Sequence, residues 1–320
     1  MYNKINFSMW AKLGMRASFG LGATEIGKKV ENLIILTGDV STSAGLDRFK
    51  KKYPEKYLDV GIAEQNLIGI GAGLSSEGFK VITTTFAPFQ TMRCCEQIKV
   101  NLGYMKQKVS MVGLASGLVL GPLGYTHCCI EDIGVLRSIP NLTIISPSDS
   151  TEAIKAIEAS LEYKYSTYVR LSGGSNLKQI YFDDFDFQIG KAITLKEGGE
   201  ICIIATGTMV GVALECHDIL FKKNIKTEIV NMHTIKPIDK SKLEQVSKKA
   251  KLIITLEEHN IIGGLGSAVS EVISEFDYRP KILKYGIDDR YTAGGEYNYL
   301  KDKFSLSPET ISENIIKELK

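Results

Sequence analysis

Short runs of apolar, β-branched residues recur along this chain, each separated from the next by a stretch with helical patterning. This alternation leaves few folds open. Leu33–Thr37, Lys80–Thr85, Val109–Gly113, Leu142–Ile145 and Thr167–Arg170 form a first set of strand-like runs. Ile201–Ala205, Thr227–Val230, Leu252–Leu256 and Lys281–Leu283 form a second. Helix-like stretches lie near 63–76, 208–222, 240–249 and 265–273. Strands that are apolar throughout are buried on both faces, and strand–helix alternation builds a mostly parallel sheet covered by helices. The pattern fails from Ser172 to Phe187, where Gly173, Gly174, Ser175 and Asn176 are followed by Asp183, Asp184 and Asp186, as in a linker. The expected architecture is α/β, with two domains at 1–180 and 190–320, each a mostly parallel sheet flanked by helices.

At 320 residues the chain can bury a large core without a metal or disulfide staple. Lys and Arg number 39 against 37 Asp and Glu, so the net charge of +2 advertises neither nucleic acid nor an anionic membrane. Cys94, Cys95, Cys128, Cys129, Cys202 and Cys216 include no Cys-x-x-Cys and no zinc-ligand spacing, and read as small buried hydrophobes in a reducing compartment. The N-terminal residues open into an amphipathic stretch without a signal-peptide core, which gives a cytoplasmic expectation. Val109 to Ile130 carries no charge and is long enough to span a bilayer, but Gly113, Gly117, Gly121, Pro122 and Gly124 break it. A strand running into a glycine-rich loop is expected there.

Three places look unlike packing. Asp59-Val60-Gly61-Ile62-Ala63-Glu64-Gln65-Asn66 puts a carboxylate where a strand ends and a helix begins. Such an acid often only complements the helix dipole. Thr85-Phe86-Ala87-Pro88-Phe89 sets two aromatics three apart at a strand-to-helix junction, where rings can be core or can stack on a flat ligand. Gly121-Pro122-Leu123-Gly124-Tyr125-Thr126-His127 places a histidine after a glycine loop, a position open to core packing or to catalysis.

In this order and spacing the three places resemble transketolase, specifically its carboxyl-terminal half. The resemblance runs nearly end to end, through Gly38-Asp39-Val40-Ser41-Thr42-Ser43, Arg137-Ser138-Ile139-Pro140-Asn141, Ser146-Pro147-Ser148-Asp149, Tyr168-Val169-Arg170-Leu171 and Glu257-Glu258-His259-Asn260 to Gly266. It implies a pyrimidine-binding domain (1–180) followed by a transketolase C-terminal domain (190–320), at a length like the second subunit of a split transketolase. The implied activity is transfer of a two-carbon ketol unit from a ketose to an aldose with thiamine diphosphate. Glu64 matches the carboxyl that meets N1′ of the aminopyrimidine and favours its imino tautomer. Phe86 and Phe89 match the ring pocket, with Met92 where a further aromatic often stands, and Asp39 matches a turn at the cofactor edge. His127 matches a histidine near the reacting carbons, and Arg16, Ser43 and Arg170 match positions that hold a sugar phosphate.

The Gly-Asp-Gly motif that holds the diphosphate's metal in this family has no counterpart, since Gly38-Asp39 is followed by Val40. The resemblance therefore implies a partner, an N-terminal transketolase subunit that carries the diphosphate and a Mg2+ or Ca2+, in a two-plus-two hetero-oligomer. Ala115 and Leu123 stand where relatives carry a His and an Asp that meet sugar hydroxyls, so a specialised transketolase for an unusual sugar stays open. A 2-oxo-acid dehydrogenase β subunit and a non-catalytic transketolase-like subunit are rival readings. The Gly-Ile-Ala-Glu-Gln-Asn stretch, together with Phe86, Phe89 and His127, weighs against both. Deoxyxylulose-phosphate synthase shares that stretch in a chain of double length.

Overall fold

The computed structural model describes residues 4–174 and 177–319; Ser175 and Asn176 of the expected linker lie outside the described residues. Twelve strands are present among the described residues: β1 (Leu33–Thr37), β2 (Tyr57–Asp59), β3 (Lys80–Phe86), β4 (Val109–Ser116), β5 (Leu142–Ile145), β6 (Ser166–Ser172), β7 (Ile193–Lys196), β8 (Ile201–Ala205), β9 (Thr227–Asn231), β10 (Thr234–Lys236), β11 (Leu252–Asn260) and β12 (Lys281–Ile287). They form a seven-stranded sheet, β10-β5-β6-β4-β3-β1-β2, and a five-stranded sheet, β12-β11-β8-β9-β7. Pairing is parallel except for β10 on β5 and β7 on β9, each at the edge of its sheet. Every expected strand is present. β2, β7 and β10 have three or four residues each and lack a long apolar run.

Helices cover both faces of the larger sheet. On one face Met15, Phe19 and Ile26 pack with Ala153, Ala156 and Ile157. On the other, Leu67 and Ile68 of the Glu64–Ser76 helix join a core that continues without a break into Cys202, Ile204, Val230 and Leu265 beyond the linker. β10 adds to this continuity, because it follows the linker in sequence yet pairs with β5 of the first sheet. The long N-terminal helix, Lys4–Lys29, is broken at Gly14, whose φ of 77° suits glycine. Asp149 caps the Ser150–Glu162 helix by accepting from Glu152 N at 2.9 Å, and its other oxygen accepts from Ile180 N and Tyr181 N of the linker. Burial pushes this carboxyl up to about 6.

The uncharged stretch from Val109 resolves into β4, fully buried, followed by the loop and a short turn at Gly121–Leu123. No helix among the described residues is long and apolar enough to cross a membrane. All six cysteines are free thiols; five are buried, and Cys95 is partly exposed.

Candidate functional site

Because β4, β3, β1 and β2 are neighbours and parallel, their carboxyl ends meet along one edge, the place where open α/β sheets present ligand-binding loops. The loop after β1 carries Gly38 and Asp39, that after β2 leads to Glu64, β3 ends at Phe86, and the loop after β4 carries His127.

Glu64 is the first residue of its helix and is only 5% exposed. Its Oε1 accepts from Nη1 of Arg93 at 2.7 Å, while Oε2 takes no hydrogen bond among the described residues. The approach to it is built by Asp59, whose Oδ1 accepts from Asp39 N at 2.9 Å and Gly61 N at 3.0 Å. Partial burial pushes the Asp59 carboxyl up, but those two amides together with the hydroxyls of Thr37 and Tyr57 outweigh it and the net shift is downward. Gly61 needs its φ of 73°, and Asp39, itself at φ 59°, contributes its backbone amide while its side chain is exposed.

Phe86 and Phe89 are half-buried and meet edge to face, centroids 6.1 Å apart. The His127 ring lies against both, at 6.2 Å from Phe86 and 5.3 Å from Phe89. Gln90 pins this aromatic turn from beneath: it is buried, accepts from Thr85 N at 3.0 Å and donates to Thr83 O at 3.0 Å. The guanidinium of Arg93 covers Phe89, 4.0 Å from its centroid. Sequence reasoning missed both Gln90 and Arg93. Arg93 had a signal, since it falls four residues after Phe89.

The loop bearing His127 is closed at its base, where Gly117 and Cys129 exchange backbone hydrogen bonds of 2.7 and 2.9 Å. From the second sheet, Glu258 Oε1 accepts from Leu118 N at 2.7 Å, and a Cβ on Gly117 would come within 2.2 Å of that oxygen. Thr208 and Tyr297 donate to Oε2 at 2.7 and 2.5 Å. The loop's tip rests on the C-terminal half through Tyr125, whose ring lies 4.8 Å from that of Tyr291.

Arg170 needs a correction. Expected at a sugar phosphate, it is 1% exposed and bonded inside the protein through Nε and Nη2. Nε donates to Asp132 Oδ2 at 2.8 Å, and Nη2 donates to the carbonyls of Cys129 at 3.2 Å and Glu258 at 2.8 Å. Tyr168 donates to the same Asp132 oxygen at 2.7 Å. His259 Nε2 lies 3.8 Å from Asp132 Oδ1 and accepts from Gly134 N, and burial holds the imidazole down at about 4. Glu257 beside it is pushed up to about 7 by burial, despite amide bonds from Gly266 and Leu265. Arg170 thus ties the loop base to β11. By contrast, Arg16 and Ser43 do share a surface: with Thr42, Gly173 and Gly174 they line a depression of about 290 Å³. Ala115 is buried at the end of β4, and Leu123 is 58% exposed.

Residues 11–176 match the family described as transketolase, pyrimidine binding domain, and residues 190–311 match transketolase, C-terminal domain. The chain belongs to the transketolase family. A Methanocaldococcus jannaschii protein named putative transketolase C-terminal section is 39% identical over 310 residues, with 96% of each chain covered. An apulose-4-phosphate transketolase subunit of Actinobacillus succinogenes is 36% identical over 281 residues, which cover 88% of this chain and 90% of that one. Among solved structures, a split gene transketolase described as an inactive beta4 tetramer superposes with a TM-score of 0.85 at 31% identity, covering 95% of this chain and 97% of that one.

Membership of the transketolase family implies thiamine diphosphate, and the residues fit its aminopyrimidine. Phe86 and Phe89 supply half-exposed flat walls, and Glu64 a secluded carboxyl with one oxygen uncommitted. Among the described residues no group of three or more His, Cys, Asp or Glu gathers as a metal ion would require.

Proposed function

We propose that this chain is the C-terminal subunit of a two-chain transketolase, which moves a two-carbon ketol unit from a ketose phosphate to an aldose phosphate. The observation that carries this is the convergence of Glu64, Phe86, Phe89 and His127 from three separate loops on one sheet edge. When bound, thiamine diphosphate supplies the thiazolium carbon on which the two-carbon unit is carried. Glu64 presents its uncommitted carboxyl oxygen to N1′ of the pyrimidine and shares the proton held there. Phe86 and Phe89 orient the ring, with Asp39 and Asp59 shaping the turn at its edge. His127, packed edge-on beside the same two rings, reaches hydroxyl or carbonyl oxygens of the transferred unit. Arg16 and Ser43 offer a cation and a hydroxyl to the far, phosphorylated end of the sugar.

A partner N-terminal subunit holds the diphosphate with Mg2+ or Ca2+, in a two-plus-two assembly. In the segments flanking Glu64, Ile62 is 76%, Leu58 43% and Met92 37% exposed, apolar side chains set among the exposed Asp59, Gln65, Asn66 and Arg93, which supports a contact of mixed character. Free, mostly buried thiols support a cytoplasmic setting. The test is ketol transfer by the chain alone and after mixing with its partner. Transfer is expected only from the mixture, and robust turnover by this chain alone would overturn the proposal.

A specialised sugar is a second reading, favoured by the apolar Leu123 on the His127 loop and by glycines facing Arg16. The name of the A. succinogenes relative, which specifies apulose 4-phosphate, points the same way. A panel of aldose acceptors with and without phosphate decides it. Strong preference for ribose 5-phosphate over its C2 and C3 epimers would count against altered hydroxyl selection.

A further inference from the structure

Arg93 meets several parts of the site at once. Nη1 donates to Glu64 Oε1 at 2.7 Å, and Cζ stands 4.0 Å from the Phe89 centroid. The backbone carbonyl of Arg93 accepts from Gln65 Nε2 at 3.2 Å, tying the segment back to the helix that Glu64 begins. The guanidinium side chain is 44% exposed whereas Glu64 is 5% exposed. An ion pair with one partner so open to water adds little to folding stability. What it does impose is direction, because a planar guanidinium laid on an aromatic ring has little freedom to swing. One carboxylate oxygen is thereby committed and the other is not.

Resting on the function proposed above, we infer that Arg93 is a positioning residue for the thiamine diphosphate reaction. It fixes the Glu64 carboxylate through Oε1 and reserves Oε2 for the nitrogen of the pyrimidine ring. Its charge also keeps the proton shared by carboxylate and ring on the ring side. No other charged side chain pairs with Glu64 among the described residues. The neighbouring Cys94 thiol is pushed up to about 12, by burial first and then by the charge of Glu64, and so stays neutral. His127, across Phe89, touches the aromatic pair and not the carboxylate.

The test uses Arg93→Met, which keeps the stem and removes the charge, and Arg93→Lys, which keeps the charge and loses the planar fork. Each is reconstituted with the partner chain, thiamine diphosphate and Mg2+. Three quantities are read: cofactor affinity, the pH at which the near-ultraviolet circular dichroism band of the imino form appears, and exchange of the C2 proton by NMR. In Arg93→Met, removing a positive neighbour should move the band's midpoint up by about one pH unit. C2 exchange near neutral pH should slow about tenfold, with cofactor affinity within about threefold of the parent. Arg93→Lys should restore the midpoint but only part of the exchange rate. A midpoint and exchange rate in Arg93→Met that match the parent would overturn the inference. So would lost cofactor affinity with an unmoved midpoint at saturation, which would mark Arg93 as packing. If the parent pair itself shows neither band nor exchange, the function proposal falls, and this inference with it.

Discussion

Two arginine–carboxylate pairs in this molecule have almost the same geometry and opposite uses. Arg170 meets Asp132 at 2.8 Å with side-chain exposures of 1% and 0%, and Arg93 meets Glu64 at 2.7 Å with exposures of 44% and 5%. At the buried pair two carbonyls and a tyrosine hydroxyl fill most of the shell, and the oxygen that takes no hydrogen bond, Asp132 Oδ1, is sealed from solvent. At the surface pair one carboxylate oxygen stays open, beside aromatic walls. The distance across a charge pair therefore says nothing of its role. What separates the two is whether the uncommitted carboxylate oxygen lies beside an exposed partner or is sealed inside the protein.

The largest expected effect lies in the buried pair. Arg170→Met strands the Asp132 carboxylate and should cost about 3–5 kcal/mol of folding stability, read from urea midpoints. A loss under about 1 kcal/mol would return Arg170 to the class of surface pairs. The double variant Arg170→Met, Asp132→Leu should recover part of the loss.

Next comes the pH response of the same joint. Glu257, raised to about 7, favours the fold below pH 4.5, and this contribution is lost as pH rises through about 7. His259, lowered to about 4, contributes above pH 6.5 and loses its contribution as pH falls through about 4. The two slopes oppose each other. In Glu257→Gln the histidine slope stands alone, so stability should rise more steeply between pH 4.5 and 7 than in the parent, by up to roughly 3 kcal/mol. Parallel curves would show that Glu257 does not titrate in that window.

The surface pair should respond in chemistry rather than in stability. Glu64→Gln should slow C2-proton exchange about a hundredfold in the reconstituted enzyme, while changing the unfolding free energy by less than about 1 kcal/mol. Near-normal exchange would remove Glu64 from the reaction. The smallest effect belongs to Phe89→Ala, which removes one wall of the aromatic pair and should weaken cofactor binding about fivefold, the equivalent of about 1 kcal/mol. Unchanged affinity would mean that the ring serves only to pack against Phe86, Arg93 and His127.

The same contrast explains what could be read from sequence. Runs such as Leu33–Thr37 and Ile201–Ala205 were legible because a buried parallel strand has to be apolar along its whole length. Glu64, Phe86, Phe89 and His127 were legible because their spacing follows strand ends, and the fold does bring them together. Arg170 was misread because the residue that neutralises it, Asp132, lies 38 positions away and nothing local announces the pairing. Arg93 was overlooked because a lone arginine just before a cysteine pair resembles any solvated cation until the ring beneath it is seen. β10 escaped notice because its three residues are held by an edge pairing, not by their own pattern.

That short strand has a consequence for how the molecule can be taken apart. With β10 hydrogen-bonded to β5 and a core shared from Leu67 to Leu265, the crossing segment after Ser172 is a tether and not a hinge. A nick there would sever the covalent chain and leave the two halves clasped. Expressed alone, the first half would show the unpaired flank of β5, an open template for another strand. Fragments for crystallography or engineering are therefore better cut elsewhere.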